Sequence, residues 1–301
     1  MGTIEQKALC MFDLIKSIAV DRKNSLPVAD LHARYRKTGT PVVFGDLCQR
    51  WPATERWTPE YLSENSSDFD VSIYSNVMKI NRGWPFKPIA KLGFKGFLED
   101  VLPEENDFRI SQIDVEGSLN WLNREFSYPR LGFDFNSYRT AISIGGKRAE
   151  EPMRQVSNDT HTVMCNFGDQ VSVLLVPPVQ SGFMYRVGHS KNTVRDIDFK
   201  QPEFEKYPAL KNIFAYVADL SHGDSLYVPA GFWYNVVHHG ISIRLSFQAE
   251  KGGLIKRAVK KGITEFNKLI DVSSLSEHRL NAMEREVVIR TNSLLDKSGR
   301  N

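Results

Sequence analysis

The sequence predicts a mainly β domain with helical segments at both ends. Residues 41–44, 70–74 and 141–146 are short runs that are either continuously apolar or alternate between apolar and polar, which is typical of strands. Residues 4–18 instead carry their apolar side chains at helical spacing, and so does the chain after residue 248. These three observations indicate strands in the middle of the chain and helices around them.

The composition is that of a folded globular protein. The chain has 301 residues, of which 41% are hydrophobic and 25% are charged, so it can bury a sizeable core. This length fits one large domain or two small ones, and barrels of about 200 to 250 residues commonly fold as one unit. The net charge of +3 is too small to indicate a polyanionic partner by itself.

The cysteines and the N-terminus indicate an intracellular protein, nuclear or cytoplasmic. Cys10, Cys48 and Cys165 are far apart and odd in number, which argues against a disulfide framework or a zinc site. The N-terminal MGTIEQ has no apolar run, and its sixth residue is Gln, so neither secretion nor myristoylation is expected. No apolar run approaches the roughly 20 residues of a membrane span, so no membrane association is expected.

The N-terminal part is expected to place helices around two strands. The helix predicted at the N-terminus would cover the domain, and a further helical turn is expected at residues 28–36. Residues 41–44 predict a buried strand. Thr58 followed by Pro59 predicts a helix start, because a hydroxyl side chain caps the first turn and proline fits its first position. Residues 70–74 predict an edge strand.

The middle part is expected to be less regular. A helix is predicted to begin at residue 93, in the run GFKGFLEDVL. Residues 101–140 predict loops and short helices that close one end of the domain. Residues 141–146 predict a strand that runs into a glycine turn, and the charged segment KRAEE, residues 147–151, predicts a solvated loop.

Two amphipathic helices are predicted near the C-terminus. The first has a basic side, formed by Lys256, Arg257, Lys260 and Lys261. The second places apolar residues at helical spacing, namely Leu280, Met283, Val287 and Leu294. The basic side would either contact RNA phosphates or simply be solvated. The apolar stripe would pack either on its own chain or on a second copy.

Two stretches carry a family signature. Residues 156–178 read VSNDTHTVMCNFGDQVSVLLVPP, and residues 223–236 read GDSLYVPAGFWYNV. They resemble the metal-site strands of the JmjC-type cupins, double-stranded β-helix (jelly-roll) oxygenases that use Fe(II) and 2-oxoglutarate. In that family the first stretch reads H-x-D-x3-N-x6-G-x-K before a P-P pair, and the second reads G-D-x-L-x-x-P-x-x-W-x-H.

The resemblance implies a fold and a domain division. An N-terminal block also resembles the family, through Trp51, Trp57, Tyr61 and Leu62. A JmjC-type cupin barrel is therefore expected over residues 41–250. It would follow an N-terminal helical segment, residues 1–40, and precede a C-terminal helical region, residues 251–301, which in related oxygenases builds a homodimer.

The same alignment places other residues where the family has its chemical groups. Val156 and Asn158 stand at the first His and the Asp of the metal triad, and Tyr234 stands at the second His. The positions that serve the co-substrate hold Thr162 for Asn and Val171 for the Lys that would pair with its carboxylate, together with Ser246. The resemblance therefore implies a pseudo-oxygenase with no catalytic residues and no Fe(II) or 2-oxoglutarate.

A shifted metal site is the alternative. Asp159 and His161 have the spacing of the family's pair in reverse order, and His238 and His239 follow Tyr234. Val156 and Asn158 are expected to face the barrel interior, so His161, at an odd spacing from them, is expected to face away from it. His238 and His239 come four and five residues after Tyr234, and because a strand rises about 3.3 Å per residue they would lie more than about 10 Å from the family's metal position. We expect these histidines at the surface or in turns, and side chains filling the barrel interior.

Residues 185–216 resemble an insert of the tRNA wybutosine hydroxylases, a branch of this family that acts on a hypermodified guanosine. The match includes a Ser-Lys pair and D-I-D but no catalytic residue. The leading hypothesis is a non-catalytic binding or scaffold protein for protein partners, RNA or a second copy of itself. The alternatives are a Fe(II)/2-oxoglutarate-dependent hydroxylase of tRNA or protein with an unconventional metal site, and an RNA-binding protein without chemistry.

Overall fold

The computed structural model describes residues 11–76, 87–135, 139–157, 159–186, 193–194, 197–250, 288–289 and 292. Asn158 and nearly all of the chain after residue 250 lie outside these residues. The two predicted C-terminal helices therefore fall outside the described structure and stay a prediction. They carry the basic residues from Lys256 to Lys261 and the apolar stripe from Leu280 to Leu294.

The strands lie between residues 16 and 250. They are β1 Lys16–Ala19, β2 Asp21–Lys23, β3 Val42–Phe44, β4 Asp70–Tyr74, β5 Ala90–Gly93, β6 Arg109–Asp114, β7 Ala141–Gly145, β8 Glu150–Gln155, β9 Thr160–Gly168, β10 Val171–Val176, β11 Phe214–Leu220, β12 Ser225–Val228, β13 Trp233–His238 and β14 Ser242–Glu250.

Short helices connect the strands. They are Val28–Asp30 continued by Leu31–Arg36, Pro52–Arg56, Pro59–Asn65, Phe94–Gly96 continued by Phe97–Val101, Val115–Ser118, Asn120–Arg124, Pro178–Phe183 and Pro208–Asn212. Within the described part of the chain, none of them is long and apolar enough to cross a lipid bilayer.

The strands form two facing sheets. Among the described residues the smaller sheet has the order β1-β11-β10-β13-β8, and the larger has the order β2-β3-β12-β9-β14-β7-β6-β4-β5. From β7 to β14 the chain passes repeatedly from one sheet to the other, and the pairs β14–β9 and β10–β13 are antiparallel. This is the double-stranded β-helix of the predicted fold class, mainly β with short helices.

Alternation along each strand divides the core into three layers. On β13, Trp233 and Val237 face outward into a cluster with the segment after Met184, whereas Tyr234 and Val236 face inward. On β14, Leu245 and Phe247 face outward against the N-terminal helices. A third apolar cluster fills part of the space between the two sheets.

Several predicted elements are confirmed. The strands β3, β4 and β7 lie where the sequence indicates, and helices occupy residues 28–36 and 94–101. Thr58 caps the helix Pro59–Asn65, because its hydroxyl accepts a hydrogen bond from the backbone N–H of Tyr61 at 3.2 Å.

The predicted N-terminal helix is wrong from Lys16 onward. Residues 16–19 form strand β1, which pairs in parallel with β11, and residues 21–23 form β2, which pairs in parallel with β3. Backbone pairing with existing sheet edges outweighs the helical spacing of a few apolar side chains. The N-terminal segment therefore adds one strand to each sheet of the barrel.

Three further predictions need correction. Strand β4 is not an edge strand, because it lies between β5 and β6. Strand β6 lies inside the region predicted as loops and short helices. Its buried residues, Ile110 and Ile113, stand between charged residues at both ends of the strand, so the sequence does not show an apolar run there. The segment 147–151 is not a solvated loop throughout, because β8 begins at Glu150 and Glu151 is buried.

Candidate functional site

The space between the two sheets contains the positions that the family uses for its metal. Val156 directly follows β8, and its backbone N–H donates to the carbonyl oxygen of Phe232 at 2.8 Å. Tyr234 lies on the adjacent strand β13, opposite Leu175 of β10. Val156 and Tyr234 are both buried in the interior apolar cluster. The structure thus brings together the two residues that the alignment places at the histidine positions.

The predicted co-substrate positions are buried in the same barrel. Thr162 lies on β9 opposite Val228, and Val171 begins β10 opposite His238. Ser246 lies on β14 opposite Met164. Val171 and Met164 belong to the interior apolar cluster. This part of the interior therefore combines the apolar side chains of Val171 and Met164 with the buried hydroxyl groups of Thr162 and Ser246.

The side chains present do not fit an Fe(II) ion. The alkyl group of Val156 has no donor atom, whereas a non-haem iron site of this type needs two imidazoles and a carboxylate. Burial raises the pKa of the Tyr234 phenol, so this group stays protonated, and the guanidinium of Arg154 lies 5.0 Å from the centre of its ring. Val171 offers no charge to the co-substrate carboxylate that the family's lysine binds.

A charged cluster occupies the interior beside Tyr234. Glu151 of β8 and Arg244 of β14 form an ion pair that joins the two sheets, with 4% and 0% of their side chains exposed. A second guanidinium, that of Arg154, approaches the Glu151 carboxylate to 3.7 Å. His238 is also buried here, and its Nδ1 lies 2.6 Å from the hydroxyl of Ser242.

Burial and the neighbouring arginines shift the pKa values in this cluster and so decide which of its groups are charged. Burial raises the pKa of Glu151, but the charges of Arg244 and Arg154 outweigh this effect and hold it at about 2. Burial lowers the pKa of His238 to about 3, and Arg244 contributes to the lowering. Burial also lowers the pKa of Arg109 to about 10. At neutral pH, Glu151 is therefore ionised, His238 is neutral and Arg109 is cationic.

Sequence reasoning missed this cluster. Glu151 was assigned to a solvated loop and His238 to the surface or a turn, and both assignments are wrong. The available signal was Arg244, which stands alone in the otherwise uncharged strand segment ISIRLSF, on the side opposite Ile243 and Leu245. An arginine at an interior position requires a partner. Simple alternation along β8 does not reveal Glu151 as that partner, because it would put Glu151 on the outward side with Met153. A shift in the pairing of β8 with β13, between Tyr234 and Val236, turns Glu151 to the interior instead.

The residues of the alternative, shifted metal site lie apart. His161 is buried in strand β9 of the larger sheet, so its predicted place at the surface or in a turn is wrong; its Nδ1 lies 3.0 Å from the Tyr227 hydroxyl. His239 comes directly after strand β13 of the smaller sheet, and its Nε2 lies 2.7 Å from Ser172 Oγ. Asp159 is exposed in the turn before β9. Within the described ranges, no three His, Cys, Asp or Glu side chains are placed to hold a metal ion together.

Comparison with known proteins identifies similar chains. A family model described as a cupin-like domain matches residues 125–250. The chain is 25% identical over 223 residues to tRNA wybutosine-synthesizing protein 5 of Gallus gallus. It is 26% identical over 204 residues to the Mus musculus protein of that name. It is 22% identical over 246 residues to the arginine-specific demethylase JMJ20 of Arabidopsis thaliana.

These similarities cover only part of each protein. The three alignments include 68%, 61% and 71% of this chain and 69%, 63% and 53% of the respective relatives. This chain therefore spans between about half and about two thirds of the relatives' length.

Proposed function

On the premise that residues 125–250 are a cupin-like domain similar to those of JmjC proteins, we propose that this protein is a catalytically inactive member of that group. It keeps the barrel as a binding or scaffold module and does not oxidise a substrate. Its partners are protein or RNA, or a second copy of this chain through the stripe from Leu280 to Leu294.

One observation carries this proposal. Val156 and Tyr234 stand at the two histidine positions and are packed with other apolar side chains. Neither position supplies an imidazole, and at the third position the sequence supplies the neutral amide of Asn158 in place of a carboxylate. An iron site would need new donors at all three positions. The barrel can be held together without them by the apolar cluster between its two sheets.

The second candidate is an Fe(II)/2-oxoglutarate-dependent hydroxylase with an unconventional metal site. It is favoured by the similarity to proteins named for tRNA wybutosine synthesis and for arginine demethylation. These names refer to two different substrates, a tRNA and an arginine, so the similarity does not select one. This candidate needs metal donors beyond Val156 and Tyr234.

Turnover of 2-oxoglutarate separates the two candidates. The 301-residue protein is loaded anaerobically with Fe(II) and given 2-oxoglutarate. Succinate formation is measured after oxygen is admitted, with and without tRNA. We expect no succinate above the metal-free blank. Succinate formation that requires Fe(II) and this protein would establish the hydroxylase instead.

A gain-of-function variant tests the register of the site. The substitutions Val156→His, Asn158→Asp and Tyr234→His together restore the family's donor set, so the folded triple variant is expected to gain Fe(II) affinity over the wild type. The control is Thr160→His with Ser157→Asp, which adds one imidazole and one carboxylate at neighbouring positions. Equal iron binding by the control and the triple variant would show that the alignment is misplaced.

A further inference from the structure

Two buried thiols meet on the outer side of the larger sheet, away from the barrel interior. Cys48 and Cys165 are both free, and both are completely buried in the apolar cluster that covers this side. The hydroxyl oxygen of Ser225 lies 2.8 Å from the sulfur of Cys48 and 3.3 Å from the sulfur of Cys165. One hydroxyl group therefore contacts both sulfur atoms, although the two cysteines are far apart in the sequence.

The strand pairing fixes how the two thiols meet. Cys165 on β9 lies opposite Ser225 on β12, and Ser225 also lies opposite Phe44 at the end of β3. Cys48 belongs to the turn that follows β3, and its carbonyl oxygen accepts a hydrogen bond from the backbone N–H of Trp51 at 2.9 Å. The turn thus brings the Cys48 side chain back onto the strand pair that carries Ser225 and Cys165.

This pair does not suit a metal ion. Structural zinc needs four nitrogen or sulfur ligands, and in the part of the chain that the structure describes no three His, Cys, Asp or Glu side chains converge. Burial raises the pKa of the Cys165 thiol well above its usual value, and the neighbouring Cys48 adds to the rise. The thiol therefore stays protonated, whereas a metal binds the thiolate. Two adjacent thiols without further ligands can still form a disulfide.

The two cysteines differ in their access to solvent. The residues next to Cys48 on its C-terminal side, Gln49 and Arg50, are exposed in the turn. The chain neighbours of Cys165, in contrast, are buried within β9. A small oxidant therefore reaches Cys48 first, when the turn opens, and Cys165 is the residue that reacts with the oxidised Cys48.

We propose that Cys48 and Cys165 are a reversible redox switch, which a peroxide converts to a disulfide that ties the turn after β3 to β9. Hydrogen peroxide oxidises the Cys48 thiol to a sulfenic acid, its O–O bond breaks and one water is released. The Cys165 sulfur then attacks the sulfenic sulfur, so that an S–S bond forms and the S–O bond breaks. The Cys165 proton leaves with the hydroxide as a second water, and a dithiol reductant reverses the reaction. The switch is independent of whether the barrel is catalytically inactive.

Disulfide mapping by mass spectrometry tests the pairing. The reduced 301-residue protein is treated with hydrogen peroxide under native conditions, the remaining thiols are alkylated after denaturation, and the peptides are identified. We expect a peptide that links Cys48 to Cys165, with Cys10 outside the disulfide. In concentrated urea we expect Cys10 to pair with Cys48 instead, because closing the shorter loop costs less entropy. Such a reversal would show that the fold selects the pair.

The disulfide should also raise the melting temperature. A link between residues so distant in the sequence restricts the unfolded chain, so the Tm of the oxidised protein should exceed that of the reduced protein by roughly 5 °C or more. The control variant Cys10→Ala should show the same rise. Cys48→Ala and Cys165→Ala should show none, because each leaves only one thiol of the pair.

Several results would overturn the proposal. Native oxidation that links Cys10 to another cysteine, or that oxidises Cys48 to a sulfinic acid without any cross-link, would show that Cys165 does not react with it. Full alkylation of Cys48 and Cys165 after a peroxide treatment that oxidises Cys10 would show that the pair is inert. An oxidised protein with an unchanged or lower Tm would contradict a link between the turn and β9. The mapping needs only the wild type, so it decides the question even if a cysteine variant fails to fold.

Discussion

Glu151 is the residue that connects the two sheets electrostatically. Its carboxylate compensates Arg244, which is fully buried, and approaches Arg154. When one partner of such a buried pair is removed, the other is left as an uncompensated charge. That loss is more costly than replacing the whole pair with apolar groups.

We therefore predict a large loss of stability for Glu151→Gln. The free energy of unfolding should fall by roughly 3–5 kcal/mol, because Arg244 loses its ionised partner in a dry environment. Urea unfolding followed by tryptophan fluorescence measures this change. The matched control is Glu105→Gln, whose carboxylate is 70% exposed and 3.5 Å from Arg148.

The control should change stability by less than about 0.5 kcal/mol, since an exposed ion pair contributes little. A Glu151→Gln variant as stable as this control would mean that Arg244 does not depend on Glu151.

His238 predicts a specific dependence on pH. Its pKa is about 3 in the folded protein, whereas that of a histidine in an unfolded chain is about 6.5. As the pH falls, the unfolded state binds the proton first, so this residue makes the folded state less stable between those two values. The expected loss is about 2 kcal/mol between pH 7 and pH 5.

Comparison with His238→Gln isolates this effect, because glutamine does not titrate. The difference in unfolding free energy between the two proteins should change by about that amount over this range. Parallel curves from pH 7 to pH 5 would show that His238 titrates normally in the fold.

At the scale of single residues, the sequence predicted that Val156 and Tyr234 face the barrel interior, where both lie in one apolar cluster, but not the charged cluster beside them. The family motifs fix the strand register, and the register decides which side chains face inward. The burial of Glu151 was not predicted, because the charged run KRAEE that contains it is typical of a solvated loop. Its burial depends on Arg244, which follows it by 93 residues, and local pattern does not reveal such a partner.

At the scale of elements, helices and strands were predicted correctly where local residues determine the structure. The predictions failed where pairing with a strand distant in sequence determines it. Thr58 and Pro59 mark a helix start through their own chemistry, and the helix begins there. Lys16–Ala19 becomes a strand only because β11 offers a free edge for parallel pairing. Likewise, β4 has the composition of an edge strand but is covered by β5 on one side.

The predicted basic helix can be tested as an element. Charge reversal of Lys256, Arg257, Lys260 and Lys261 to Glu should abolish any tRNA gel shift if this side contacts phosphates, and the wild-type affinity should fall steeply with salt. The control reverses two lysines elsewhere, Lys91 and Lys95, which lie on and beside strand β5, and its effect is compared with that of the double reversal of Lys260 and Lys261. No shift by the wild type at low salt, or an equal effect of both sets, would exclude RNA binding through this helix.

At the scale of the whole molecule, the architecture follows from family-level sequence motifs more than from composition. The strands β7 to β14 build the double-stranded β-helix, and β1 and β2 attach the N-terminus to one sheet each. The apolar cluster between the sheets stabilises this barrel without metal donors. A binding or scaffold role needs only such a stable barrel and its outer surfaces.

We propose that this barrel lacks a site for iron, and the iron content of the wild-type protein measures this most directly. The protein is purified without oxygen, incubated with Fe(II), desalted and analysed by elemental mass spectrometry. We predict iron far below one atom per chain, because Val156 and Tyr234 supply no imidazole to the metal position. One iron per chain, retained by the wild type and located between the two sheets, would contradict the claim.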